Sequence, residues 1–304
     1  MLMETLSGLL IKVICMVLFG VFLRKKNIIT KELQAGLSSL LLNAILPISV
    51  VGSVEPQCTP RMVQALLWTA LISTVYYFFA FGLSKLMTAK MSLSVQGKQI
   101  FIMMNMFANV GFIGMPLCSA LCGKEGFLIA VVYNLVYQVF LVFVGIPMLR
   151  GQKGICWEML KDPLLIVSLA ALAVFVSPFR LPTVVQEVCD DIGSMMVPVS
   201  MLIIGSDLAD QKLSVLFKDV HSYLVCTMRL IVYPLLMFVI IKQMDLPSMV
   251  LVPTILLTAL PCGSLNVILA KQYDCEPEFA SRAVILSMVL MVITLPGILW
   301  IMGQ

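Results

Sequence analysis

Apolar runs of about 20 residues follow one another along almost the whole chain, and each is long enough to cross a bilayer as a helix. Helices suit this environment because their backbone N–H and C=O groups bond to each other where water is absent. Only 12% of the residues are charged, compared with about 25% in soluble domains. The chain is therefore predicted to be an all-α polytopic protein of the lipid bilayer, with no nucleic-acid partner.

Ten apolar segments can be delimited, and they predict ten transmembrane helices, numbered 1 to 10 in chain order. The segments cover residues 5–23, 33–54, 62–87, 97–120, 125–149, 163–179, 184–209, 219–242, 247–271 and 279–303. If the N-terminus lies outside, fourteen Lys and Arg residues fall in inner loops and four in outer loops. Because Lys and Arg concentrate in cytoplasmic loops, this distribution predicts a plasma- or inner-membrane protein with both termini extracytoplasmic.

Similar short motifs occur in the two halves of the chain. Pro47 in helix 2 and Pro198 in helix 7 lie in nearly repeated stretches, each followed a few residues later by Gly-Ser. Both prolines are predicted helix breaks, because proline removes a backbone hydrogen bond. Five helices lie on each side of the basic loop at 150–161, so the second set enters the membrane from the opposite side. The sequence thus predicts two inverted five-helix repeats, residues 1–150 and 151–304.

Helices 4 and 9 are both interrupted near their centres by glycine, proline and polar residues. Backbone groups freed at membrane depth are tolerated only inside protein or along a wet cavity. If the two helices cross, the N-terminal ends of their second halves converge, and their free N–H groups favour an anion. The alternative is a pair of kinks that allow close packing. The predicted substrate-binding residues at these breaks are Asn109, Gly111, Gly114, Pro261, Gly263 and Ser264, with Pro116 and Pro261 as helix breaks.

Three of the charged residues within the predicted helices are candidates for a functional role. Arg229 is near the middle of helix 8, where a charge costs on the order of 2.5–3.5 kcal/mol, and no Asp or Glu lies at comparable depth. It is expected either to bind or gate the substrate or to tie down backbone carbonyls. Lys12 and Asp207 are candidates for coupling or gating, although Lys12 could instead extend its amine to the membrane surface.

Amide side chains are the other polar groups within the apolar segments. Asn43 lies just before Pro47 and is predicted, with Asn109, to bind substrate, whereas Asn105 and Asn266 are candidates for coupling or gating. Asn134 and Gln138 belong to the same group, and helix packing is the favoured role for them. Amides also hold helices together at about 1 kcal/mol or less. Three modes of energy coupling remain open. Na⁺ could bind to carbonyls, amides and the hydroxyls of Ser49, Ser200 and Thr258, H⁺ could bind to Asp207 or to Asp190 and Asp191, and efflux could be uncoupled and driven by the membrane potential.

Enzyme chemistry is not expected from this sequence. There is no phosphate-binding loop, and the single histidine lies at a predicted helix edge. The nine cysteines are scattered through apolar runs, where cysteine behaves as a small hydrophobic residue. Neither a cofactor nor a metal site is therefore predicted.

Four stretches in order along the chain resemble the auxin efflux carrier family. They are Asn43-Ala44-Ile45-Leu46-Pro47, the run from Ala108 to Leu117, Pro198 with the run from Met201 to Ala209, and Pro261 followed by Ala270. The resemblance covers essentially the whole chain. It implies the fold of bile acid sodium symporters, in which helices 4 and 9 cross at the substrate site. Helices 1, 2, 6 and 7 would form a scaffold, and helices 3–5 and 8–10 a mobile core, with a homodimer among the expected assemblies.

The resemblance and the helix breaks together predict a secondary active or facilitated efflux carrier of a small organic anion, such as a carboxylate. Bacterial relatives in that family include proposed carriers of malate and malonate, and the family implies an elevator-like alternating-access motion. A Na⁺-coupled uptake symporter for organic acids is the first alternative. A membrane receptor or assembly subunit without transport activity is the second.

Overall fold

The structure is a computed structural model and describes residues 2–53, 59–151, 163–177, 181–210, 219–244 and 246–302. Regular structure in these residues is α- or π-helical, apart from one isolated β-bridge. The prediction of an all-helical chain is therefore confirmed for the part that is described. Most of the predicted basic loop at 150–161 lies outside the described residues.

The helices are labelled to match the ten predicted segments, with two of them divided into halves a and b. Their bounds are α1 Leu2–Lys25, α2 Lys31–Gly52, α3 Pro60–Ala89, α4a Val95–Met106, α4b residues 110–122, α5 residues 124–150, α6 Pro163–Val176, α7 Thr183–Ala209, α8 Val220–Lys242, α9a Ser248–Thr258, α9b Ser264–Gln272 and α10 Pro277–Met302. Gly123 separates α4b from α5 with φ 66°, a backbone conformation that glycine adopts without strain.

Six helical stretches among the described residues are long and apolar enough to cross a membrane. They are α2, α3, α4b together with α5, α7, α8 and α10, while α6 and α9a contain shorter apolar helices. Together they establish a multi-pass membrane protein. The grouping of the helices into two inverted repeats stays a prediction.

Several helices contain a wide π-helical turn shortly before a proline. The π turns at 41–45, 110–114, 141–145 and 228–232 precede Pro47, Pro116, Pro147 and Pro234, respectively. A proline ring clashes with the carbonyl four residues earlier, and a wider turn moves that carbonyl away. Near Pro198, α7 is instead kinked at Met195. The helix at Pro47 thus continues through a distortion, whereas α4 and α9 are interrupted.

Helices α1 and α7 approach each other closely at two glycines. A Cβ atom on Gly205 would lie 2.1 Å from the carbonyl oxygen of Val17, and one on Gly20 would lie 2.7 Å from that of Leu202. Small residues allow such contacts between membrane helices. At the adjacent helix ends, Arg24 Nε donates to Asp210 Oδ1 at 2.7 Å. Side-chain and backbone contacts therefore hold α1 against α7.

A second group of helices packs around buried tyrosines. Tyr76 and Tyr77 of α3 are fully buried. The ring of Tyr76 lies 6.0 Å from that of Tyr233 in α8, and the ring of Tyr77 lies 5.9 Å from that of Tyr133 in α5. The Tyr233 hydroxyl also hydrogen-bonds with Ser84 Oγ at 3.1 Å. These contacts join α3, α5 and α8 beside the interrupted helices.

Candidate functional site

The breaks in α4 and α9 lie against each other and share backbone hydrogen bonds. The N–H of Asn109 donates to the carbonyl oxygen of Pro261 at 3.0 Å, and the N–H of Gly263 donates to that of Phe107 at 3.0 Å. The two segments form the isolated antiparallel bridge. Backbone groups released by each break are thereby satisfied by the other break, as a water-poor environment requires.

Close packing at this bridge leaves no room for a side chain on Gly263, and one on Gly114 would require nearby leucine side chains to move. A Cβ atom on Gly263 would lie 2.8 Å from the carbonyl oxygen of Ala108. One on Gly114 would lie 2.6 Å from a methyl group of Leu260. Asn266 Nδ2 adds a hydrogen bond to the Phe107 carbonyl at 2.8 Å. The predicted residues Gly114 and Asn266 therefore hold the two broken helices together.

Arg229 lies on one side of the bridge and is fully buried. Its Nε donates to the Leu260 carbonyl at 3.2 Å, and its Nη1 donates to the Asn105 carbonyl at 2.9 Å and to the Tyr76 hydroxyl. These carbonyls lie at the ends of α9a and α4a, where helices leave acceptors unpaired. The contacts correspond to the second role foreseen for Arg229, a tie to backbone carbonyls.

A cavity of about 230 Å³ lies on another side of the bridge. Its lining comes from α2, α4, α5, α6 and α9b: Leu42, Asn43, Ala108, Asn109, Val110, Gly111, Phe112, Asn134, Tyr137, Gln138, Leu164, Gly263, Ser264, Leu265 and Ile268. The cavity thus brings together five of the predicted substrate-binding residues, namely Asn43, Asn109, Gly111, Gly263 and Ser264. Gly114, Pro261 and Arg229 belong to the crossing and do not line it.

The cavity has a mixed lining of apolar side chains, amides and backbone groups. None of the described residues that line it is Asp, Glu, Lys, Arg or His. Helix α9b begins at Ser264 without a side-chain cap. The Asn266 N–H donates to the Gly263 carbonyl at 3.0 Å, which leaves the N–H groups of Ser264 and Leu265 as the candidate donors of this helix end to a ligand. On the α4b side, Asn109 Oδ1 accepts a hydrogen bond from the Phe112 N–H at 3.3 Å. Neutral donors and a helix N-terminus favour a carboxylate-sized anion.

Asn134 and Gln138, for which helix packing was the favoured role, also line the cavity. Only 3% of Asn134 and 8% of Gln138 is exposed, and Asn134 Nδ2 and Gln138 Oε1 have no hydrogen-bond partner. An unpartnered buried amide costs about 1–3 kcal/mol, so a ligand that bonds to these atoms would be stabilised. The two amides are four residues apart and therefore lie on the same helix face, which is the sequence feature that could have indicated a shared polar site.

The remaining coupling candidates lie away from the cavity. Asn105 is buried and its Nδ2 donates to the Phe101 carbonyl at 2.9 Å. Asp207 accepts a hydrogen bond from Gln34, close to Asp210. The hydrogen bond from Arg24 holds the pKa of Asp210 below its ordinary value. Lys12 is exposed on α1.

Comparison with known proteins gives one family and two relatives. The sequence model of a family described as membrane transport protein matches residues 5–156 and 148–299. An uncharacterized transporter of Methanocaldococcus jannaschii is 21% identical over 302 residues, which cover 95% of this chain and 96% of that protein. An uncharacterized transporter of Methanothermobacter thermautotrophicus is 25% identical over 195 residues, or 63% of each chain.

Replacing Gly263 by alanine should destabilise the crossing. The new Cβ would meet backbone atoms that cannot move without breaking the bridge, and overpacking of this kind costs about 1–3 kcal/mol. Gly111→Ala is the matched control, because its Cβ would lie 3.8 Å from the nearest atom, Leu42 Cδ2. The unfolding temperature measured in detergent should fall clearly for Gly263→Ala and stay unchanged for Gly111→Ala. Equal unfolding temperatures for the two variants would contradict the close approach.

Proposed function

This chain belongs to the membrane transport protein family, whose members are similar to auxin efflux carriers. On that premise, we propose that the protein carries a small organic anion across the cell membrane. The family and the transporter-named relatives support a transporter rather than an enzyme. The observation that carries the choice of substrate is the uncharged, amide-lined cavity at the crossing of α4 and α9.

The lining of the cavity favours a carboxylate on a short carbon skeleton. The uncapped first turn of α9b and the amide of Asn134 can donate to carboxylate oxygens, whereas Leu42, Phe112 and Ile268 offer apolar contacts. None of the described residues that line the cavity supplies a fixed positive charge to hold the anion. A carrier must bind its substrate firmly enough to select it and weakly enough to release it. Helix dipoles worth about 0.3–1 kcal/mol each suit that requirement.

Polar contacts between helices support a division into two moving parts. Nearly all side-chain hydrogen bonds between described residues of different helices stay either within α1, α2 and α7 or within α3–α5 and α8–α10. We propose that the first group, with α6, is the scaffold and that the second is the mobile core. The cavity lies between them, since α2 and α6 contribute Leu42, Asn43 and Leu164.

A transport and binding screen tests the function. Purified protein in detergent should be stabilised against heat by at least one member of a panel of short mono- and dicarboxylates, and the same compound should cross proteoliposomes that contain the protein. Amines and neutral analogues of the same size serve as controls. Binding without flux would indicate a receptor, and stabilisation by amines alone would contradict an anion site.

A negative charge placed in the cavity should weaken anion binding. In Asn134→Asp the new carboxylate would face the substrate in a partly dehydrated space, where like charges repel strongly. We expect at least a roughly tenfold loss of affinity, about 1.4 kcal/mol, in thermal-shift titrations with the carboxylate found above. Asn27→Asp adds the same charge at an exposed turn residue with φ 56° and should not change affinity. Unchanged binding by Asn134→Asp would remove this cavity from consideration.

An ion pair between described residues joins the two proposed groups of helices. Lys124 Nζ lies 2.7 Å from Asp190 Oδ2, with the side chains 47% and 42% exposed. The pair borders a second cavity of about 330 Å³ that is also lined by Ser49, Ser119 and Cys189. With both termini outside, this cavity faces the outer surface. We propose that the pair holds the outer cleft closed and separates when the core moves.

Removing this ion pair should open the outer cleft more often. Exposed ion pairs are worth about 0–1 kcal/mol, so Asp190→Asn should raise the rate at which a membrane-impermeant maleimide modifies Cys189 by up to about fivefold. Cys189 is 8% exposed in the closed arrangement. Labelling that is absent from Cys189→Ser can be assigned to Cys189. The charge-swapped variant Lys124→Asp/Asp190→Lys should restore slow labelling. Equal labelling in Asp190→Asn and the parent protein would exclude the pair as a closure.

A further inference from the structure

Arg229 is a buried cation that takes no part in lining the substrate cavity. Among the described residues, no Asp or Glu forms an ion pair with it. Its Nε and Nη1 instead donate to oxygen atoms of Leu260, Asn105 and Tyr76, whereas Nη2 has no hydrogen-bond partner among the described residues. Burying a guanidinium at such depth is energetically unfavourable unless hydrogen bonds to these oxygens offset the loss of its hydration.

The carbonyl oxygens around Arg229 belong to two converging helix ends. Asn105 is in the last turn of α4a, and Leu260 lies two residues beyond the last residue of α9a. Each helix C-terminus carries about half a negative charge, so two of them amount to roughly one. A single guanidinium therefore balances the pair. The opposite ends at the crossing, the N-termini of α4b and α9b, border the cavity.

Carbonyl oxygens at broken helices are also the groups that hold Na⁺ in carriers with discontinuous helices. We propose that Arg229 is a resident cation that occupies this position permanently, so that transport by this chain requires no Na⁺. The guanidinium cannot diffuse away, and it does not deprotonate in proteins. This inference deepens the proposed anion transport and rests on it for the transport step. The effect on the stability of the crossing is independent of any substrate.

The position of Arg229 in its helix supports a positioning role. It lies in the π turn 228–232 that precedes Pro234, and its Cζ lies 5.8 Å from the centre of the Tyr76 ring. Contacts to α3, α4a and the α9 break fix the helix ends that determine where α4b and α9b begin. Lysine would retain the charge, but its compact ammonium cannot reproduce the planar, multi-donor geometry of arginine.

Chemical rescue tests the proposal directly. Arg229→Ser removes the cation and leaves space near the carbonyls, and its unfolding temperature should fall by at least several degrees. Guanidinium ion, at concentrations too low to denature, should recover most of that loss and leave the parent protein unchanged. Tyr233→Phe loses a buried hydroxyl that bonds to Ser84, so it should be destabilised without rescue. Unfolding of the parent protein should be the same in sodium and choline buffers.

Transport measurements then separate this inference from the proposed function. Carboxylate flux by the parent protein should be equal with sodium or choline, and guanidinium should restore flux to Arg229→Ser. If Arg229→Ser cannot be purified, Arg229→Lys takes its place and should show partial rescue. If carboxylate flux by the parent protein requires Na⁺, the proposal that Arg229 replaces Na⁺ is wrong, while the proposal of anion transport still holds. If guanidinium stabilises Arg229→Ser but the parent protein shows no carboxylate flux, the result would contradict anion transport and support the role of Arg229 as a resident cation. Equal rescue of Tyr233→Phe, or no rescue at all, would overturn the proposal.

Discussion

The backbone bridge between the breaks of α4 and α9 is the contact on which the site depends. Two hydrogen bonds, from Asn109 to Pro261 and from Gly263 to Phe107, pair groups that would otherwise be orphaned in a low-dielectric interior. Because the bonds are reciprocal, neither helix can be interrupted there without the other. Each break therefore requires its partner, and the position of the cavity follows from where they meet.

Pairing the breaks also separates charge. The N-terminal halves of both helices end toward Arg229, and the C-terminal halves begin at the cavity. Negative helix ends thus meet a fixed cation, while the positive ends border the cavity, where α4b is capped by Asn109 and α9b has no side-chain cap. If the guanidinium lay in the cavity instead, a carboxylate would form a buried ion pair whose separation is strongly unfavourable. A cavity lined by neutral groups can bind a carboxylate without forming such an ion pair, so the substrate can be released.

Much of this arrangement was accessible from the sequence, for identifiable reasons. Apolar length indicates helices in lipid whatever their neighbours, and the Gly and Pro residues at 109–116 and 259–264 mark the breaks. The orientation of a side chain is a different matter. Depth alone could not decide whether Arg229 faces the substrate or the carbonyls. Asn134 and Gln138 were undervalued because an amide in an apolar helix has the same pattern whether it packs or lines a cavity. The π turns depend on tertiary packing around each proline.

The distribution of polar contacts supports the proposed relative motion of the two groups of helices. Inside each group, buried hydrogen bonds such as Asn266 to Phe107 resist separation, since each broken bond would leave a buried polar atom unpaired. Between the groups, the exposed pair of Lys124 and Asp190 can exchange its contact for water at little cost. Apolar surfaces that slide within lipid lose packing but no hydrophobic driving force. Rigid groups joined by an exposed ion pair are thus suited to alternate between two positions.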